Sequence, residues 1–490
     1  MKILPSAVAA IVVAAAVVGV TTPAPAQTST AAPSDFNGDG YSDLVIPTQP
    51  RLGDLGTVTV MYGSPQGPDP ALTQILTEED IDPRASGRLA VDIAKPWGDF
   101  DGDGFDDALV VFAHALFAVF GSADGLDPTT VFSIGMPPGF TNVVVAVGDV
   151  HGDGHDDILV GDDTDDGIAQ LAIFSGNTDG IRTDEVTVVR ETGAPTAIGR
   201  ASSIDIGDVN GDGAADIVVG RHDTTVGSVQ LAGVVDVLLQ DSGRFVYDDA
   251  QRFSQAGAVR GSPEFKDRFG ATVAVDDFDG DGFDDVAVAV PWEDLRGVTS
   301  AGAANVLYGS ATGLTTDRNQ IWHQGRGVRG KIEPIDRIGS RAGVVAGDFN
   351  ADGHADLFID ATLEDVGTRR NAGGANLIYG SPDGLTSAGD QFWSQRGDRA
   401  GGDIPGSPER SDMFGWSIVA LDINGDGFDD AVFSVHLEDL AGVRNAGAFN
   451  VVYGGPDGLT GDGAQLWSRL NDGSGLPLTE REQYSAPRGS

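Results

Sequence analysis

Aspartate and glycine alternate in Asp99-Phe100-Asp101-Gly102-Asp103-Gly104-Phe105-Asp106-Asp107, and nearly the same nine residues recur from Asp277. Five further copies start at Asp35, Asp149, Asp208, Asp348 and Asp422, so the spacings are 64, 50, 59, 69, 71 and 74 residues. Calcium is a hard cation that takes six to eight oxygens at roughly 2.3–2.6 Å. Side chains at positions 1, 3, 5 and 9 and the backbone carbonyl at position 7 supply such a set. Gly at position 6 permits the positive φ that closes the loop. The candidate ligands are Asp35, Asn37, Asp39, Tyr41 and Asp43 in the first copy, and Asp99, Asp101, Asp103, Phe105 and Asp107 in the second. The third offers Asp149, Asp153, His155 and Asp157, and the fourth Asp208, Asn210, Asp212, Ala214 and Asp216. The fifth offers Asp277, Asp279, Asp281, Phe283 and Asp285, and the sixth Asp348, Asn350, Asp352, His354 and Asp356. The seventh offers Asp422, Asn424, Asp426, Phe428 and Asp430.

The copies are graded. Those at Asp99 and Asp277 carry four carboxylates, four others replace one with Asn, and the third has His151 at position 3. Imidazole nitrogen suits zinc or copper better than calcium, so this loop is predicted to be the weakest of up to seven calcium sites. An EF-hand is excluded on two counts. It requires Glu at position 12 and a following helix. Here position 12 is Ile46, Val110, Val160, Val219, Val288, Ile359 or Phe433, inside short β-branched runs such as Val286-Ala287-Val288-Ala289-Val290 that read as buried strands.

The elements that carry the loops also repeat. From about residue 260 each unit opens with a lead-in (Asp267-Arg268-Phe269-Gly270, Asp336-Arg337-Ile338-Gly339, Asp412-Met413-Phe414-Gly415) and a strand before the loop. The strand after the loop ends at an acidic corner, Glu293-Asp294, Glu364-Asp365 or Glu438-Asp439. A third strand ends in Tyr308, Tyr379 or Tyr453, followed by a turn with Gly at both ends, such as Gly380-Ser381-Pro382-Asp383-Gly384-Leu385. A fourth strand carries Phe253, Trp322, Trp393 or Trp467, read as wedges between units. Four antiparallel strands in each of seven units predict an all-β, seven-bladed β-propeller of four-stranded blades with calcium-binding loops. An open solenoid is the rival, disfavoured because no unit reads as a cap. The 464 residues from Gln27 allow about 66 per blade. Blade 1 lacks an evident first strand, and residues 482–486 are expected to supply it.

Composition sets the address. Lys2, an apolar stretch from Ala7 to Val20 and Ala24-Pro25-Ala26 read as a signal peptide over residues 1–26, leaving residues 27–490 as a secreted propeller. A membrane anchor is the alternative, but the stretch is short for a span. With no Cys, metal is the expected staple of an exported chain. A net charge of −44, about −30 with seven calcium ions bound, excludes nucleic acid and anionic membranes as partners.

Together the Phe269-Gly270 and Phe414-Gly415 lead-ins, the seven acidic loops and the Gly-Ala approach to each Tyr-Gly strand end resemble the FG-GAP repeats of the integrin α-subunit head, most closely those of secreted bacterial proteins. The lead-in decays to Gly87-Arg88 and Gly199-Arg200 in earlier blades, and only Val290-Pro291 keeps the Pro of the Gly-Ala-Pro element. The resemblance implies structural calcium sites on one face and ligand recognition on the opposite face or the rim, where the acidic corners would lie. The expected function is a monomeric, calcium-stabilised extracellular adhesion or binding module for a protein or glycan. A polysaccharide-active enzyme with its site at the central channel and a structural spacer are the alternatives. The seven His form no nucleophile or metal motif, so no catalytic residue is assigned.

Overall fold

A computed structural model describes residues 33–48, 56–82, 97–112, 115–136, 140, 143–162, 170–191, 201–326, 328–398 and 401–479. The expected signal peptide and the expected closing strand at 482–486 lie outside these. The compact unit Ala32–Ser490 is a seven-bladed β-propeller. Blade 5 shows the plan: antiparallel strands Val273–Asp276, Asp285–Val290, Ala303–Tyr308 and Thr315–Trp322, hydrogen-bonded in chain order. Blades 2 to 7 share it, and the acidic loop always joins the first strand to the second. First strands of consecutive blades pack on one another from blade 2 to blade 7, so they are innermost. Blade 1 has three strands among the described residues, Leu44–Thr48, Thr57–Met61 and Gln74–Thr77. Its missing strand is therefore the innermost one.

The cores lie between blades. Second strands are buried along their length because both faces are covered, and alternate side chains serve opposite neighbours. Phe433 packs with blade 6 and Val432 with blade 1. One cluster joins Leu421, Val432 and Phe449 of blade 7 to Phe36, Ile46 and Val60 of blade 1 and Val110 of blade 2. The other junctions each have their own cluster. An open solenoid would leave the blade 7 and blade 1 faces bare, so the chain is a closed ring.

The repeated sequence signals are junction parts. The tyrosine ending the third strand reaches the Gly-Leu turn of the next blade: Leu126 N–H donates to Tyr62 Oη and Leu385 N–H to Tyr308 Oη, both at 3.1 Å. Glycine is required at that turn. Gly384 has φ +91°, and a Cβ there would stand 2.0 Å from the Tyr308 hydroxyl. Gly384→Ala is expected to cost about 1–3 kcal/mol in chemical denaturation, with part recovered in a Gly384→Ala/Tyr308→Phe double variant. No loss in the single variant would contradict this packing. The lead-ins work likewise: Phe269 N–H donates to Ala232 O and Phe414 N–H to Ala372 O, both at 2.9 Å, pairing each Phe-Gly with the Gly-Ala stretch of the blade before.

Fourth-strand aromatics are wedges as expected, Trp393 being fully buried. The glutamine two residues earlier adds a link that sequence reading missed. Gln391 Nε2 donates to Leu459 O of blade 7, and Gln465 Nε2 to Gln66 O of blade 1. The acidic corners are inter-blade hydrogen-bond acceptors rather than solvated turns. Gln255 Nε2 donates to Glu293 Oε2 at 3.0 Å and Gln395 Nε2 to Glu438 Oε2 at 2.7 Å. Blade 7 places Arg469 where blades 4 and 6 have Gln255 and Gln395. Its guanidinium donates to Thr59 Oγ1 (2.8 Å), Thr48 Oγ1 (2.6 Å) and Thr57 Oγ1 (2.8 Å) of blade 1. Arg469 thus closes the ring from a single departure in the repeat.

Candidate metal centres

Each acidic loop is built by its own backbone. The position 1 carboxylate accepts the N–H of position 6 at 2.7–2.9 Å in all seven copies. The position 9 carboxylate is buried and opens the second strand or, for Asp43, immediately precedes it. In blade 5, Asp285 accepts Phe278 N–H on one oxygen (3.1 Å) and Gly309 N–H of the third-strand turn on the other (2.8 Å). Asp43, Asp107, Asp157, Asp356 and Asp430 make the same two bonds. Asp216 accepts Gln240 N–H in the same way.

Carboxylate oxygens converge where the sequence is most acidic. One oxygen each from Asp99, Asp101 and Asp107 lie within 4.8 Å of one another, and so do those of Asp277, Asp279 and Asp285. These groups can hold a metal ion. Burial first, and then neighbouring carboxylates, push the position 9 aspartates Asp43, Asp107, Asp285, Asp356 and Asp430 up to about 8, against backbone N–H bonds that lower them. A bound cation removes that penalty. Asp279 is 4% exposed and its Oδ1 has no hydrogen-bond partner, as expected of a ligand oxygen. An all-oxygen set of this kind fits calcium.

Two copies carry features that change their electrostatics. In the third loop His151 Nδ1 lies 2.7 Å from Asp157 Oδ2, so the ring occupies the ligand carboxylate. In the fifth, Arg318 donates to Asp279 Oδ2 at 2.6 Å and lies over the Tyr308 ring at 4.8 Å. One of the four carboxylates counted there is therefore already paired, by a residue 39 positions away. Position 5 is not in either converging group. Asp103 and Asp281 accept the position 7 N–H at 3.0 and 3.2 Å instead. His155 and His354 place their Nδ1 at 3.2 and 3.1 Å from Asp153 and Asp352 of the same loops.

The loops are also joined to one another, which sequence reading missed. The position 8 N–H donates to the position 1 carbonyl of the preceding loop: Asp106 to Asp35, Asp156 to Asp99, Asp284 to Asp208, Ala355 to Asp277, Asp429 to Asp348 and Ser42 to Asp422, at 2.9–3.1 Å. Where position 8 is Asp, its carboxylate accepts the position 1 N–H in return, as in Asp348 to Asp429 at 2.8 Å. Large position 7 side chains cover the position 4 glycine of the preceding loop at five junctions, including Tyr41 over Gly425 across the closure. Asp at position 8 and a large residue at position 7 were visible signals, but nothing local tells that they serve a different loop.

The FG-GAP repeat family matches residues 27–61, 269–307 and 414–451, and the FG-GAP-like repeat family matches 99–160 and 149–219. Integrin alpha-V of Gallus gallus is 29% identical over 226 residues, 44% of this chain and 19% of that protein. Phosphatidylinositol-glycan-specific phospholipase D of Rattus norvegicus is 28% identical over 167 residues, 34% of this chain and 18% of the enzyme. The chain thus spans about a fifth of the length of these relatives. An Agrocybe aegerita lectin that recognises non-reducing terminal N-acetylglucosamine has the same fold at 14% identity, with a TM-score of 0.51, 90% of this chain covered and 94% of the lectin. Its likeness extends to the fold alone. Family matches in six blades, the lead-in pairing and the closed ring agree: this chain is an FG-GAP repeat β-propeller, similar to the integrin α type.

Proposed function

We propose that the protein is a secreted binding module for an extracellular protein or glycan, and that calcium in the seven loops holds its ring rigid. The observation that carries the metal half is the convergence of aspartate oxygens in two loops, within a set of loops hydrogen-bonded to one another at six of the seven junctions. The binding half is supported by the fold, whose repeats occupy the chain and leave one face free of metal loops. Each loop offers its position 1, 3, 5 and 9 side chains and its position 7 carbonyl, as assigned from the sequence, except the third, which lacks position 3 and offers Asp149, Asp153, His155 and Asp157. Calcium would neutralise the carboxylates and bridge residues that come from both sides of the loop.

Residues 1–26 would be removed on export, and residues 27–490 would act as a monomer. Among the described residues no helix is long and apolar enough to cross a membrane. The test of function is a glycan and protein array probed with the full chain in calcium and in chelator. Saturable binding that chelation abolishes supports the reading, and no binding to any surface opposes it. The third loop gives a separate check. His151→Asp should raise calcium affinity there by at least tenfold, because a fourth carboxylate replaces a ring that blocks Asp157. Terbium luminescence titration would read it, and an unchanged titration would remove His151 as the cause of the weak site.

A further inference from the structure

We propose that the cavity between the lead-ins of blades 5 and 6 binds an oxyanion, a carboxylate or sulfate carried by an acidic sugar unit. The proposal rests on the binding-module reading and names its ligand class. The cavity lies at the end of the blades opposite the acidic loops, because lead-ins and second-strand ends meet there. Its volume is about 290 Å³, and Arg268, Arg337, Arg341 and His222 line it with no carboxylate among the lining residues. That is unexpected in a chain with 74 acidic and 30 basic residues.

The arginines are preorganised. The Arg337 guanidinium lies 3.6 Å from the Trp292 ring centroid, and Arg268 approaches the same ring at 5.7 Å. Arg341 lies 4.2 Å over Trp416, which stacks on His436 at 4.3 Å and 7°. Stacking fixes the Arg337 guanidinium plane and leaves its N–H edge for an in-plane acceptor, the geometry that carboxylate and sulfate match. Nε of Arg337 and Nε of Arg268 are buried without acceptors. Burial, and then the charges of Arg341 and Arg268, lower the Arg337 pKa, which an anion would relieve. Asp223 lies 3.7 Å from Arg268 and 3.1 Å from His222, so one acid borders the site and biases it toward a single negative group.

The fold does not require these side chains. Arg268 (φ 59°), Arg337 (φ 49°) and Met413 (φ 55°) hold the same left-handed backbone at the same place in the lead-in, and blade 7 manages it with Met. Trp292 has Leu363 and Leu437 at the matching positions of blades 6 and 7. The cluster is thus an unrepeated feature on a repeated frame. Its volume falls at the small end of ligand pockets and suits one sugar unit rather than a buried chain. A second arginine-lined cavity, about 480 Å³ around Arg260, Arg318 and Arg326, differs in that Arg318 is spent on Asp279 and Arg260 on Asn319 O.

The test is calorimetric titration of the full chain in calcium buffer at low ionic strength with sodium glucuronate, glucose and sodium sulfate. Saturable glucuronate binding at one site with no response to glucose is expected. Arg337→Gln and Arg268→Gln should each weaken it at least tenfold while the melting temperature holds, and either variant alone suffices if the other misfolds. No glucuronate binding, equal binding of glucose, or full affinity in a folded Arg337→Gln protein would overturn the assignment. Sulfate binding without glucuronate binding would overturn the sugar as the source. Array binding by a chain that ignores glucuronate would sink this pocket and leave the binding-module reading standing.

Discussion

Chelating calcium should lower the melting temperature by on the order of 10 °C, and by more at pH 8 than at pH 5. One site held at a hundred times its Kd contributes about 2.7 kcal/mol, and several such sites act on one cooperative ring. The pH dependence follows from the buried position 9 aspartates. Their folded pKa values are raised to about 8 in Asp43, Asp107, Asp285, Asp356 and Asp430, whereas an unfolded carboxylate titrates near ~4. Between about 4 and about 8 the metal-free folded protein binds more protons than the unfolded chain. Metal-free stability therefore falls as pH rises through that window. Calcium binds the deprotonated groups, so its stabilising increment grows over the same range. The corner glutamates Glu293 and Glu364, pushed up to about 8, and Glu438, to about 7, add to the metal-free slope by the same sign. Equal calcium increments at pH 5 and pH 8 would contradict this electrostatic account.

Arg469→Ala should be the most damaging single change outside the loops, costing about 3–5 kcal/mol in denaturant unfolding. The side chain is fully buried, donates to three threonine hydroxyls of blade 1 and lies 3.4 Å from the buried Asp472 carboxylate. Truncation leaves Asp472 without its cation and the hydroxyls without donors. The change also falls at the one junction where the ring's two ends meet. Gln395→Ala, the same repeat position between blades 6 and 7, is the internal comparison and should cost about 1–3 kcal/mol. A smaller effect at Arg469 than at Gln395 would mean that the closure does not depend on it. Removing residues after Asn471 should also lower the melting temperature, because Thr73 Oγ1 donates to Asp472 O and Gly473 packs on Pro70. Truncation after 479 tests the proposed closing strand separately.

The blade plan was readable because its signals are local. Alternation, Asp/Gly loops and Gly-bounded turns each dictate structure within about ten residues, and counting them gave seven. Recognition of the loops as ligand sets needed only residue type and spacing. What could not be read is what one blade does to the next. The Tyr308 hydroxyl, the Gln391 amide and the position 8 aspartates look like surface choices in a one-dimensional sequence, yet each is spent on a neighbour 57 to 81 residues away. Arg318 escaped for the same reason, since its pairing with Asp279 depends on a fourth strand folding back over its own loop. Arg326 and Lys331 also depart from the repeat, but the departures that cluster in space are Arg337, Arg341 and Trp292. They sit in or beside well-formed repeat motifs, where the motif hid them.

The central claim is that the acidic loops bind calcium and thereby hold the ring. Its most direct test is the metal content of the full chain after dialysis from calcium into metal-free buffer, measured by inductively coupled plasma mass spectrometry. The account predicts about six or seven calcium ions per chain, with the His151 loop the first to empty. A well-folded chain that retains no calcium would contradict it.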